Sequence, residues 1–333
     1  MTRKTRMFAI TFGLCALPLG EPQTTSSHPN GDPETANLNL RFDGRRTDVY
    51  HVVAKLVGGV PTDETVAQDV PTWRYPHDEF ELEATEKLEL NPRSAEFARV
   101  SYGWQAFKLR EVKAGRLALE CKVDGFGDLR KIAGEPAVLR FGGYVEAPIQ
   151  YGLEASGAIE DVTLPRPLLG FDADHILQGY ANDMAALHAL VRPTQPVEIG
   201  ATWSRQQTFR QGAWLPVETF PGVTCDISAT YSRNEERQGV PCAIVAQEAI
   251  LSEPLTITQE ALGASSTVEQ LRVSSEFAVS LADGRIVQET SSARMMMRID
   301  RESLDEDSPQ RRVRLIANRQ LQRTLDVPST EGE

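Results

Sequence analysis

TVEQLRVSSEFAVSLADGRIVQETSSARMMMRI, Thr267 to Ile299, holds two strand-length runs rich in Val, Phe, Ile and Thr around a turn at Gly284. The three consecutive methionines, Met295, Met296 and Met297, decide how it is read. Side chains alternate between the two faces of a sheet, so three apolar residues in succession put apolar groups on both. Two architectures meet that demand. Either the sheet is covered on both sides, or its inner face is concave and accepts an apolar molecule.

Outward from this hairpin the pattern is strand after strand. Downstream lies RRVRLIANRQLQRTL; upstream lie TWSRQQTF, VTCDISATYS and PCAIVAQEAIL. In the first half, VYHVVAKLV alternates, with Tyr50, Val52, Ala54 and Leu56 making one apolar face. The Gly-Arg-Arg-Thr link joining it to the preceding LNLRF predicts a short hairpin. Between Gly58 and Phe80, Pro61, Pro71 and Pro76 remove ladder donors and predict a long loop or edge crossing. FARVSYGWQAFKLREVKAGRLALECKV sets Val100, Tyr102, Trp104 and Ala106 on one face, turns at Gly115, and returns through Leu117, Leu119, Cys121 and Val123. A further hairpin turns at Gly157, which makes an antiparallel meander.

One stretch breaks the pattern. DADHILQGYANDMAALHALV spaces Ile176, Leu177, Tyr180, Met184, Leu187 and Val191 helically, with Asp172 or Asp174 as N-cap and RPTQP as the stop. The expected fold class is therefore mainly β (α+β). It comprises an antiparallel curved sheet, half-barrel or two similar β lobes, with one long amphipathic helix at about 173–191. The expected organisation is a signal peptide at 1–20, a disordered linker at 21–37, a first β-rich half at 38–171 and a helix with connector at 172–195. A second β-rich half at 196–325 and a disordered tail at 326–333 complete it. PVEIGATW, Pro196 to Trp203, restarts the strands, and the turn glycines recur at nearly equal offsets, Gly115 with Gly239 and Gly157 with Gly284. A duplication accounts for this, and so does the abundance of glycine turns in any β-rich chain.

The first residues point to a compartment. Arg3, Lys4 and Arg6 precede the apolar run MFAITFGLCALPLG and a polar stretch, the layout of a secretory signal, and the run is too short to span a bilayer. Leu14 before Cys15 departs from a lipobox, so lipidation at Cys15 is not expected. A composition of 41% hydrophobic and 25% charged residues belongs to folded proteins. The net charge of −12, spread along the chain, gives no basic footprint for nucleic acid or anionic lipid headgroups.

Once the leader is removed, three cysteines remain, Cys121, Cys225 and Cys242. A hairpin with RNEERQG (233–239) as its loop sets Cys242 opposite Thr230 and places Cys225 several residues away on the other face. Free thiols follow, unless a bulge or register shift brings the pair together. No GxSxG elbow, HExxH or phosphate-binding glycine loop is present, and DGFGDL, Asp124 to Leu129, lacks the third glycine of a dinucleotide fingerprint. His28, His51, His77, His175 and His188 show no metal spacing. FDADH (171–175) reads as helix capping before it reads as a cation site, and PHDE (76–79) as solvated charge. No cofactor, metal or catalytic residue is expected. The candidate residues are apolar: Trp104, Trp203, Trp214, Met295, Met296, Met297, Tyr180 and Met184, which would line a ligand cavity.

The PVxxGxxW element with Pro193, Pro196, Val197, Gly200 and Trp203, followed by the hairpin with Phe277, Gly284 and Ile286, resembles the uncharacterised bacterial envelope family DUF6263. More distantly the chain resembles the LolA and LppX half-barrels, which hold acyl chains on a curved sheet. The resemblance implies fold and compartment, an exported protein that is periplasmic or envelope-associated, and brings no catalytic residues; the expected function is non-catalytic binding of a lipid or other apolar ligand. The alternative is a structural or interaction module with a solid β core and another envelope protein as partner.

Overall fold

The computed structural model describes residues 35–63, 68, 71–74, 77–113, 138–139, 149–163, 190–209, 223–259, 264–301 and 311–327. The signal segment 1–20, the linker as far as residue 34, the turn at Gly115, Cys121 and the predicted helix over 173–189 lie outside the described residues. Leu190 and Val191, at the predicted helix end, are buried in irregular backbone.

Among the described residues thirteen strands form one sheet. In chain order they are β1 Arg46–Gly59, β2 Asp78–Pro92, β3 Phe97–Lys113, β4 Val138–Leu139, β5 Ile149–Glu154, β6 Ile159–Thr163 and β7 Thr202–Phe209. They continue as β8 Val223–Arg237, β9 Val240–Leu251, β10 Leu255–Gln259, β11 Ala264–Ser280, β12 Ile286–Arg301 and β13 Arg311–Leu325. The spatial order is β6-β5-β3-β2-β1-β13-β12-β11-β9-β8-β7, with β10 on β11 and β4 on β3. Pairing is antiparallel throughout. The path is open, and its centre is the ladder from Tyr50–Leu325 to Gly59–Ile316, where the first strand meets the last. That ladder corrects the two-lobe alternative: both halves belong to one sheet.

The sheet curls, and the curl can be read from two hydrogen bonds. The consecutive amides of Leu40 and Arg41 donate to Ala155 O, just after β5, and Asp283 O, in the β11–β12 turn, at 2.9 and 3.0 Å. In a flat sheet those carbonyls would stand roughly 25 Å apart, at about 4.8 Å per strand. Adjacent residues cannot reach both unless the sheet bends round on itself. Residues 36–42 thus form a strap across the concave side. Leu38, Leu40 and Phe42 are buried, and Ala36 pairs with Val197. This corrects one expectation: LNLRF does not hairpin with β1. After β13, Asp326 N donates to Val49 O at 2.8 Å and Val327 packs on the core.

The faces follow from register. Tyr50, Val52 and Ala54 are 5%, 3% and 2% exposed, while the alternate Val53 is 57% exposed. Carried across the ladders, the inner face gathers Leu88, Leu90, Val100, Tyr102, Tyr151 and Leu153 at one end and Ile227, Ala229, Tyr231, Val245 and Phe277 at the other. The strap packs against both groups. The outer face is covered in part by the loop 60–77. Trp73 and His77 stack with ring centres 5.2 Å apart beside Gly59, and Arg294 bonds to Gln68 O.

Candidate functional site

Register divides the three methionines. Met295 and Met297 stand opposite Leu271 and Val268 on β11 and opposite Ala317 and Leu315 on β13, all on the inner face. They belong to an apolar cluster with Ala293, Val273 and Ile299, beyond the strapped end. Met296 lies opposite Ile316 and Gln270, on the outer face with Arg294, and is buried. Both faces carry apolar side chains here, as three methionines in a row require. Of the three candidates, Met296 is therefore the one on the outer face.

Trp203 also lies on the inner face, opposite Ala229. Its indole Nε1 donates to Val191 O at 2.7 Å, and Val191 N donates to Gln247 Oε1 at 2.8 Å. Trp203 therefore seats the segment after residue 189 against β7 to β9. The backbone of Trp104 stands opposite Glu86, next to a bulge in β3. Its side chain lies outside the described residues, as do Trp214, Tyr180 and Met184.

The strapped end of the inner face carries charges where alternation calls for apolar groups. Arg323, Glu86 and Glu289 are 2%, 4% and 3% exposed. Arg323 Nε donates to Glu86 Oε2 at 2.9 Å, its Nη1 donates to Glu289 Oε2, and the Tyr102 hydroxyl donates to Glu86 Oε1 at 3.1 Å. Burial by itself would lower the Arg323 pKa, but Glu86 and Glu289 outweigh it and raise it. Beside this triad, Asp48 accepts from Arg46 Nε and Arg285 Nη1, both at 3.1 Å, and both arginines pair with Asp283. Burial pushes the Tyr50 and Tyr151 hydroxyls well above their ordinary pKa. A cavity of about 30 Å³ opens among Arg46, Asp48, Tyr50, Arg192, Arg285 and Arg323, room for one or two waters. Of the candidates with described side chains, Trp203, Met295, Met296 and Met297, none lines it.

These charges escaped the sequence reading although a signal was present. Glu86 falls in the register of Ala84, Leu88 and Leu90, and Arg323 in that of Leu321 and Leu325. His77, from the PHDE stretch, has Nε2 3.9 Å from Glu79 Oε2 and stacks on Trp73 outside the cavity, and His175 lies outside the described residues. Among the described residues no group of His, Cys, Asp and Glu is placed to hold a metal ion, and no helix is long and apolar enough to cross a membrane.

Cys225 and Cys242 are free and buried, on opposite faces. The hairpin turns at Gln238–Gly239, both at positive φ (52° and 75°), which is tighter than expected. Cys242 therefore faces Glu235, not Thr230, and Cys225 faces Leu251. Burial pushes both thiols up to about 11. In the folded protein Cys225 and Cys242 are expected to resist a thiol reagent at pH 8, and both to react once unfolded, as located by peptide mass mapping. The thiols hold their protons longer folded than unfolded, so they withdraw stability as pH rises from about 8.5 to about 11.

No family model matches the chain. No curated protein matches it either. Among solved structures the chain is similar to lipovitellin, in a structure described by its lipid–protein interactions, at 12% identity and a TM-score of 0.41. The match covers 87% of this chain and 26% of the lipovitellin chain, so the chain spans about a quarter of that protein's length.

Proposed function

We propose that the protein is an exported, non-catalytic bacterial envelope protein that holds an acyl chain or similar apolar ligand on the inner face of its curled sheet, as the resemblance to DUF6263 and to LolA-type half-barrels implies. The observation that carries this reading is the inner surface beyond the strap. There Val268, Met295 and Met297, buried at 3%, 3% and 4% exposure, pack with the half-buried Leu271, Val273 and Leu315 in a contiguous apolar cluster drawn from three strands of a bent sheet, the kind of side-chain set an apolar chain would intercalate. Methionine suits such a surface, because its unbranched thioether adapts to chains of differing shape. The strapped end is filled with core side chains and ion pairs, and its cavity is far below the roughly 300 Å³ of a ligand pocket. The ligand is assigned to the methionine end alone. Native mass spectrometry of the protein isolated from its own envelope, followed by organic extraction, tests the reading. A stoichiometric lipid-class adduct is expected; a clean apo mass in repeated preparations would favour an interaction module with a solid core.

A further inference from the structure

Four arginines line the small cavity at the strapped end, and three of them are matched by carboxylates. Arg46 and Arg285 share Asp48 and Asp283. Arg323 lies between Glu86 and Glu289. Arg192 is different. It is 9% exposed, its Nη1 donates to the backbone carbonyl of Leu38, and among the described residues no carboxylate makes an ion pair with it. The acidic groups that act on its charge are Tyr50 and then Asp283, and Asp283 is already engaged by Arg46 and Arg285. A guanidinium has five N–H donors, so the carbonyl of Leu38 leaves most of its capacity unused. An unpaired buried charge is costly, and burial brings the Arg192 pKa down to about 10, which still leaves it protonated at neutral pH.

We propose that the cavity beside Arg192 binds one small monovalent anion of halide size. The cavity volume of about 30 Å³ admits such an ion and little more. Among the described residues its polar wall presents the guanidinium groups of Arg46, Arg192, Arg285 and Arg323, against one carboxylate, Asp48, both of whose oxygens already accept hydrogen bonds. Glu86 and Glu289 do not line the cavity; their oxygens are turned to Arg323 and to the Tyr102 hydroxyl. Leu40, Leu88, Leu90, Leu153 and Ile286 supply the apolar part of the wall and reduce screening by water. Because Arg192 also holds Leu38 O, the anion would fasten the strap to the sheet. This inference is independent of the acyl-chain surface at the other end.

The test is ion-specific stability. Melting curves of the full chain are recorded in sodium bromide or chloride and in sodium gluconate at equal ionic strength. A ligand that binds only the folded state raises Tm saturably. Wild type is expected to gain several degrees in halide over gluconate, and Arg192→Met to lose that increment whatever its own starting Tm. An equal increment in both proteins, or none in wild type, overturns the proposal. If Arg192→Met does not fold, bromide-soaked crystals of wild type decide. An anomalous peak in contact with Arg192 supports the site, and water alone in the cavity refutes it.

Discussion

Gly284→Ala is expected to unfasten the strap and cost about 3 kcal/mol or more of stability. A Cβ at this position would sit 2.1 Å from Asn39 O, 2.7 Å from Asn39 C and 3.0 Å from Leu40 N. All three are backbone atoms, so no side-chain rotation relieves the clash. The residue also has φ +72°, where an L side chain is strained before any neighbour is considered. Leu38, Leu40 and Phe42 hang on the same segment, and moving it uncovers the inner face at both ends of the sheet. Urea titration reads the loss, and limited proteolysis should open a new cleavage within residues 36–42. Gly239→Ala is the matched control. Its φ is +75° but nothing lies within 4 Å of the added carbon, so only the smaller conformational cost of about 1 kcal/mol is expected. Equal losses in the two variants would mean that the strap is not held against the β11–β12 turn.

Arg323→Leu is expected to be as damaging, by about 3–5 kcal/mol, because it strands two buried carboxylates. The Glu86 and Glu289 side chains are 5% and 4% exposed and would face each other without their shared cation. The triad itself need not be a source of stability. Charges taken out of water lose solvation that their mutual attraction only partly restores, and a well-packed apolar set can match them. Replacing all three, as Arg323→Leu, Glu86→Leu and Glu289→Leu together, should therefore recover most of the loss. The large non-additivity, measured by urea titration of the single and triple variants, checks that the residues act as one unit.

The parts of this fold that could be read from sequence are those set by local pattern. Alternation in VYHVVAKLV places Tyr50, Val52 and Ala54 inside, and the structure agrees. Gly157, Gly239 and Gly284, read as turn residues, all have positive φ. LNLRF failed for a physical reason. Leu38, Leu40 and Phe42 alternate as a strand would, but an extended strap crossing a sheet buries alternate side chains in the same way, and only distant partners distinguish the two. The β1–β13 ladder carried no local signal, since it joins opposite ends of the chain, and with it went the choice between one sheet and two lobes. Of the candidate site, Met295 and Met297 are on the inner face, and Trp203 is there as an anchor for Val191. The assignment of Met296 required knowing which of two equivalent faces turns inward, and a methionine run is silent on that. The buried charges were visible as breaks in alternation at Glu86 and Arg323, a pattern that marks either an exposed strand end or a polar network within a core.

The claim that the inner face carries the ligand is tested most directly by two neighbouring residues on one strand. Met297→Gln and Met296→Gln make the same chemical change one position apart, on opposite faces of β12. Each variant is isolated from the envelope alongside wild type and examined by native mass spectrometry, with circular dichroism to confirm the fold. Loss of the apolar adduct in Met297→Gln and its retention in Met296→Gln is the predicted result. Retention in Met297→Gln with loss in Met296→Gln would place the ligand on the outer face and contradict the account.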